Sequence, residues 1–80
     1  MSPIFIRLQR LFREVFEDES FELRPDHSQH NLSNWDSFAQ VKLVISIEEE
    51  FGIKFLIDEV AETKSVSELM RLIEAKIQQA

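Results

Sequence analysis

Trp35-Asp36-Ser37-Phe38-Ala39-Gln40-Val41-Lys42-Leu43-Val44-Ile45-Ser46-Ile47-Glu48-Glu49-Glu50-Phe51-Gly52 is the run that decides how this chain folds. Phe38, Val41, Val44, Ile45 and Ile47 cover a broad apolar arc at helical spacing, which predicts a helix over 36–51. Gly52 stands just past Phe51, where helices commonly end on a left-handed residue that glycine adopts without strain. Asp36 and Ser37 open the run, and both are residue types that accept the free amides of a first helical turn.

The helical period recurs on both sides of this run. Upstream, Ile4, Leu8, Leu11, Phe12 and Val15 predict an amphipathic helix over 3–18, with Pro3 in the first turn, where its missing N–H costs nothing. Downstream, 57–62 has room for one or two turns. Ser65 with Glu68 then forms a capping-box pattern ahead of Val66, Leu69, Met70, Ile73 and Ile77. One glycine and two prolines in 80 residues favour helices over hairpins. Between 19 and 34 the period lapses around Pro25, Asp26, Asn31 and Asn34, which reads as a long loop. Phe21, Leu23 and Leu32 within it should pack down, making it an ordered crossover. The expected fold is all-α: one domain over 1–80, a small four-helix bundle with three long helices, a short third helix and a long loop between helices one and two.

Composition bounds the function. Fifteen acidic against nine basic residues give a net charge of −6, which argues against nucleic acid and anionic membrane as partners. The acids concentrate in 14–26 and 36–62, whereas 1–13 holds Arg7, Arg10 and Arg13 and no acid. Such a field favours basic partners. Without cysteine there is no disulfide, thiolate nucleophile or Cys-based metal site. His27 and His30 read as solvent-exposed loop residues, and no HExxH helix or calcium-loop pattern accompanies them. Ser37, His27 and Asp26 could make a hydrolytic triad only on paper, since no nucleophile elbow is present. The expectation is therefore no catalytic residue, no metal, no membrane span and no signal peptide, in a cytoplasmic monomer.

Ser37 remains. A hydroxyl at the start of a helix is where a phosphate ester is comfortable, because free amides and the positive dipole end favour an anion. Any Asp-Ser pair can also simply begin a helix. Context separates the two readings. Trp35-Asp36-Ser37-Phe38, then Val41, Leu43, Val44, Ile47 and Glu48-Glu49-Glu50-Phe51-Gly52-Ile53, resembles the second-helix region of acyl carrier proteins. Val15-Phe16 with Glu17-Asp18-Glu19, Phe55 to Glu62, and Ser65-Val66 with Glu68-Leu69 resemble the end of that family's first helix, its third helix and the start of its fourth.

The resemblance implies a carrier rather than an enzyme. Ser37 would be converted by a phosphopantetheinyl transferase, using coenzyme A, to a 4′-phosphopantetheine ester whose thiol holds acyl groups as thioesters. Asp36, Phe38, Gln40, Val41, Lys42, Val44, Glu48 and Glu49 would form the docking face for the transferase and for acyl-loading and acyl-processing enzymes with basic patches. Ile47, Phe51, Phe55 and Val60 would line an acyl-chain pocket between the second and third helices, or serve as plain core. Lys42 and the arginines of the first helix depart from the family pattern. They point to a specialised, freestanding carrier of a fatty-acid-like, modified-lipid or secondary-metabolite pathway. An aminoacyl or peptidyl carrier and an unmodified helical interaction module are the alternatives.

Overall fold

The computed structural model describes residues 3–79. Four helices follow in order: α1 (Pro3–Phe16), α2 (Ser37–Phe51), α3 (Ile57–Glu62) and α4 (Val66–Gln79). The described residues contain no strand, and a single antiparallel bridge joins Ser28 to Ser65. The four-helix expectation is met, with corrections at the ends. α1 stops two residues short of the expected Asp18. Glu17 takes φ 54°, Asp18 N–H donates to Arg13 O at 3.0 Å and Glu17 N–H to Glu14 O at 3.3 Å. Two of the four carbonyls that the last turn leaves unpaired, Arg13 O and Glu14 O, are thereby met, at a conformational cost of about 1–2 kcal/mol for a left-handed glutamate. α2 ends the same way on Gly52 at φ 66°, with Ile53 N–H on Glu48 O at 3.2 Å.

The core joins Leu8, Leu11 and Phe12 of α1, Leu43 and Ile47 of α2, and Val66, Leu69 and Ile73 of α4. α3 contributes no buried side chain. At the centre Phe12 meets Trp35 edge-on at 5.1 Å and Phe16 at 5.6 Å, and stacks on Phe21 at 6.3 Å. Phe21 belongs to the long loop, which is ordered as expected and buries Leu23.

The loop is also pinned to the start of α4. His27 O accepts from Val66 N–H at 2.9 Å, Gln29 N–H donates to Lys64 O at 3.1 Å, and the Ser67 hydroxyl donates to Pro25 O at 2.9 Å. These bonds satisfy amides and carbonyls that helix and loop would otherwise leave open. They also correct the reading of His27. It is half-buried, stacks on Phe21 at 5.5 Å and accepts the Arg24 N–H on Nδ1 at 3.0 Å; only His30 is exposed. The α4 cap is half of a capping box. Ser65 Oγ accepts from Glu68 N–H at 3.2 Å, but the Glu68 carboxylate takes Lys64 N–H and the Ser65 hydroxyl.

The arginines of α1 are staples. Arg7 donates from Nε to the Glu50 carboxylate at 2.8 Å and from its terminal nitrogen to Glu50 O, and Arg10 reaches the other carboxylate oxygen at 2.7 Å. Arg13 donates to Phe21 O in the loop. Glu50 is consequently held below the usual glutamate value of 4.5, by Arg10 first and then Arg7. Glu59 is lowered by the Leu56 N–H and then Lys76, and Asp18 by the Ser20 hydroxyl and amide.

Carboxylates with depressed native pKa values stabilise the fold above their ordinary range. That stability disappears as pH falls from about 4.5 through the lowered native values, because the unfolded chain then binds more protons. Urea midpoints should therefore hold from pH 7 to about 5 and fall between pH 4.5 and 3. Glu50→Gln should reduce that fall by a small amount, since exposed ion pairs are individually weak. An unchanged pH profile in this variant would remove Glu50 from the account.

Candidate functional site

The site is built on Trp35, which is 1% exposed. An indole buried this deeply needs a partner for its N–H. Nε1 donates to Gln40 Oε1 at 2.7 Å, and Gln40 Nε2 lies 3.5 Å from Thr63 O. The Trp35 amide in turn donates to Leu32 O at 3.1 Å. One side-chain pair thus fastens the end of the loop to the first turn of α2 and to the residue that closes α3. Gln40, expected on the docking face, is instead 7% exposed and spent on this network; its amide is unavailable to a partner. The signal that could have found it is an aromatic with a polar tip just before a helix cap, followed at close spacing by an amide.

With Trp35 anchored, Asp36 becomes the N-cap of α2. Its backbone is extended and Oδ1 accepts from Ala39 N–H at 2.9 Å. Ser37 is the first helical residue and is exposed. Among the described residues its hydroxyl has no hydrogen-bond partner, and neither do the backbone amides of Ser37 and Phe38. An unencumbered hydroxyl beside two open amides at the positive end of a helix suits a phosphodiester bonded to that oxygen.

Beyond Ser37, α2 presents Phe38 (69% exposed), Val41 (58%) and Ile45 (53%) as one apolar stripe, with Val44 half-buried beside it. Lys42 lies on this face with Nζ 4.4 Å above the Phe38 ring. The acidic triplet divides its work. Glu48 accepts the Phe55 N–H at 2.9 Å, Glu50 is clamped by Arg7 and Arg10, and Glu49 is exposed without an ion pair among the described residues. The free acid of the triplet is therefore Glu49.

The four residues expected to line an acyl pocket are packed. Ile47 is fully buried, and Phe51 and Phe55 lie half-buried against the core. The Arg7 guanidinium covers the Phe51 ring at 4.3 Å, so that ring faces α1; Val60 is half-buried on α3. Among the described residues no cluster of His, Asp or Glu could hold a metal, and no helix is long and apolar enough to cross a membrane.

Comparison with known proteins matches this geometry. A family model described as "Phosphopantetheine attachment site" matches residues 7–73. An acyl carrier protein from Coprothermobacter proteolyticus is 27% identical over 74 residues, covering 92% of this chain and 90% of its own length. The solution structure of a holo acyl carrier protein from Geobacter metallireducens superposes with a TM-score of 0.87 at 32% identity, over 98% of this chain and 90% of that one. The crystal structure of an acyl carrier protein from Thermotoga maritima shares the fold, with a TM-score of 0.82 at 17% identity over 95% and 88%. Matched over most of its length in both sequence and fold, the chain belongs to the acyl carrier protein family, non-enzymatic carriers with a covalently attached 4′-phosphopantetheine.

Proposed function

We propose that Ser37 bears the 4′-phosphopantetheine arm and that the chain, acting as one unit over 1–80, carries acyl groups between partner enzymes in the cytoplasm. The observation that carries this reading is the exposed Ser37 hydroxyl, unpartnered among the described residues, at the start of α2. When bound, the arm supplies a flexible thiol on which an acyl group is held as a thioester; the chain itself contributes no cysteine to compete with it. Asp36 caps the helix and leaves the serine oxygen free for the phosphopantetheinyl transferase.

Phe38, Val41 and Val44, with Lys42 and Glu49, form the face that meets the transferase and the acyl-processing enzymes. A lysine among these apolar side chains sets this face apart from a uniformly acidic one. Partners with an unrelieved basic patch are disfavoured by like-charge contact at Lys42. This supports a dedicated set of enzymes in a fatty-acid-like, modified-lipid or secondary-metabolite pathway rather than a general cycle.

The test is the intact mass after incubation with coenzyme A and a phosphopantetheinyl transferase. A gain of one phosphopantetheine is expected, and none in Ser37→Ala, a variant that removes no hydrogen bond and should fold normally. A gain that persists in Ser37→Ala would place the arm elsewhere. No gain with several transferases would favour an unmodified interaction module.

A further inference from the structure

We infer that, on the docking role proposed above for this face, the partner of α2 presents a helix with one acid and one base two turns apart and apolar residues between them, and not a uniformly basic patch. Phe38, Lys42, Ile45 and Glu49 follow one another at four, three and four residues, which sets them on one line along α2. Val41 stands beside that line, and all five side chains are exposed.

The charges left free on α2 are fewer than its sequence suggests. Of its four charged residues, Glu48 and Glu50 are committed inside the molecule. Glu48 accepts the Phe55 N–H at 2.9 Å, and Glu50 is neutralised by Arg7 at 2.8 Å and Arg10 at 2.7 Å. Lys42 and Glu49 remain. Neither has an ion pair among the described residues, and Lys42 Nζ rests only on the Phe38 ring, at 4.4 Å. On the α1 flank Glu14 pairs with Arg10 at 3.3 Å. Glu17 lines a cavity with Lys42 and Ile45 but makes no ion pair with the lysine. From its N-terminal end the line therefore reads positive, apolar, negative. A partner with bases at both ends would match Glu49 and be repelled at Lys42; an acid at that end satisfies both.

The spacing selects a helix as the occupant. Side chains at alternating three- and four-residue intervals form a ridge that packs along the equivalent ridge of a second helix. Seven residues separate Lys42 from Glu49, about 10.5 Å along the axis, so a partner helix meets both with an acid and a base at the same interval. Phe38, Val41 and Ile45 supply the apolar contact between and beside them. A contact only two turns long is small, as suits a carrier that must leave one enzyme for the next.

Three lactam-bridged helical peptides test this on the chain without its arm, so the result is independent of phosphopantetheine transfer. All carry the same leucines and differ only at two positions a heptad apart: glutamate and lysine in the first, two lysines in the second, two glutamates in the third. Titrated into the isotope-labelled chain and followed by NMR, the first should bind about threefold more tightly than the second, the effect of one surface ion pair. It should shift the amides of Val41, Lys42, Ile45 and Glu49. Lys42→Gln should abolish this preference, and Lys42→Glu should reverse it in favour of the two-lysine peptide. Equal or tighter binding of the two-lysine peptide to the wild type would overturn the inference. So would shifts centred away from α2, or no binding of any of the three at millimolar concentration.

Discussion

Trp35→Ala is expected to cost about 3–5 kcal/mol of folding stability, the range for deleting a large buried aromatic. An 80-residue domain has about 4–12 kcal/mol in total, so this one change brings the fold close to its limit. Two losses combine. The edge-on contact with Phe12 at 5.1 Å goes, and Gln40 Oε1 is left buried without its donor.

Trp35→Phe separates these losses. It keeps an aromatic ring against Phe12 and removes only the N–H, and should cost about 1–3 kcal/mol, the price of an unsatisfied buried acceptor. Because the sole tryptophan is the residue removed, unfolding in urea is best followed by far-ultraviolet circular dichroism. Wild-type stability in Trp35→Phe would show that Gln40 finds another donor and that the network does not anchor the site. Ser37 lies two residues beyond Trp35, so Trp35→Phe should also slow transfer of phosphopantetheine, through a less fixed entry into α2.

Phe12→Ala should cost about as much, about 3–5 kcal/mol. Phe12 is fully buried and touches three rings: Phe16 in its own helix, Phe21 in the loop and Trp35 before α2. Its removal takes away the stack that seats Phe21 against α1, leaving the Phe16 ring at 5.2 Å and the Arg13 bond to Phe21 O to hold the loop there. A double-mutant cycle of Phe12→Leu and Trp35→Leu, each of which removes a ring but keeps apolar bulk, tests whether the two rings act together. Aromatic pairs contribute about 0.5–1.5 kcal/mol beyond their buried area, and a coupling of that size is expected here. Independent effects would mean that each ring is held by the rest of the core.

Much of this arrangement is legible in the chain before any coordinates. Helical spacing places Leu8, Leu11 and Phe12 in the core, and Gly52 marks the end of α2, because these signals are local to one element. Ser37 stands out once the surrounding residues are read together. What escapes is any outcome decided between elements. Gln40 occupies a helix position that spacing alone treats as surface, and it is buried because Trp35 and Thr63 converge on it. Glu48, Glu49 and Glu50 read as one acidic block, yet Arg7 and Arg10 arrive from α1 to take Glu50 alone. The early end of α1 required a left-handed Glu17, a conformation that residue type does not advertise. His27 looks like any loop histidine until Phe21 folds beneath it.

The hydrogen bond from Val66 N–H to His27 O has a consequence for how motion near Ser37 can be observed. This amide opens α4, where amides ordinarily exchange with solvent almost at once. Its proton is retained only while the crossover stays seated. Deuterium uptake at Val66 therefore clocks the detachment of the segment that leads to the serine, separately from fraying of α4. Exchange that slows when a transferase or a loaded arm is present would measure, at one amide remote from the modified oxygen, how firmly the approach to Ser37 is held.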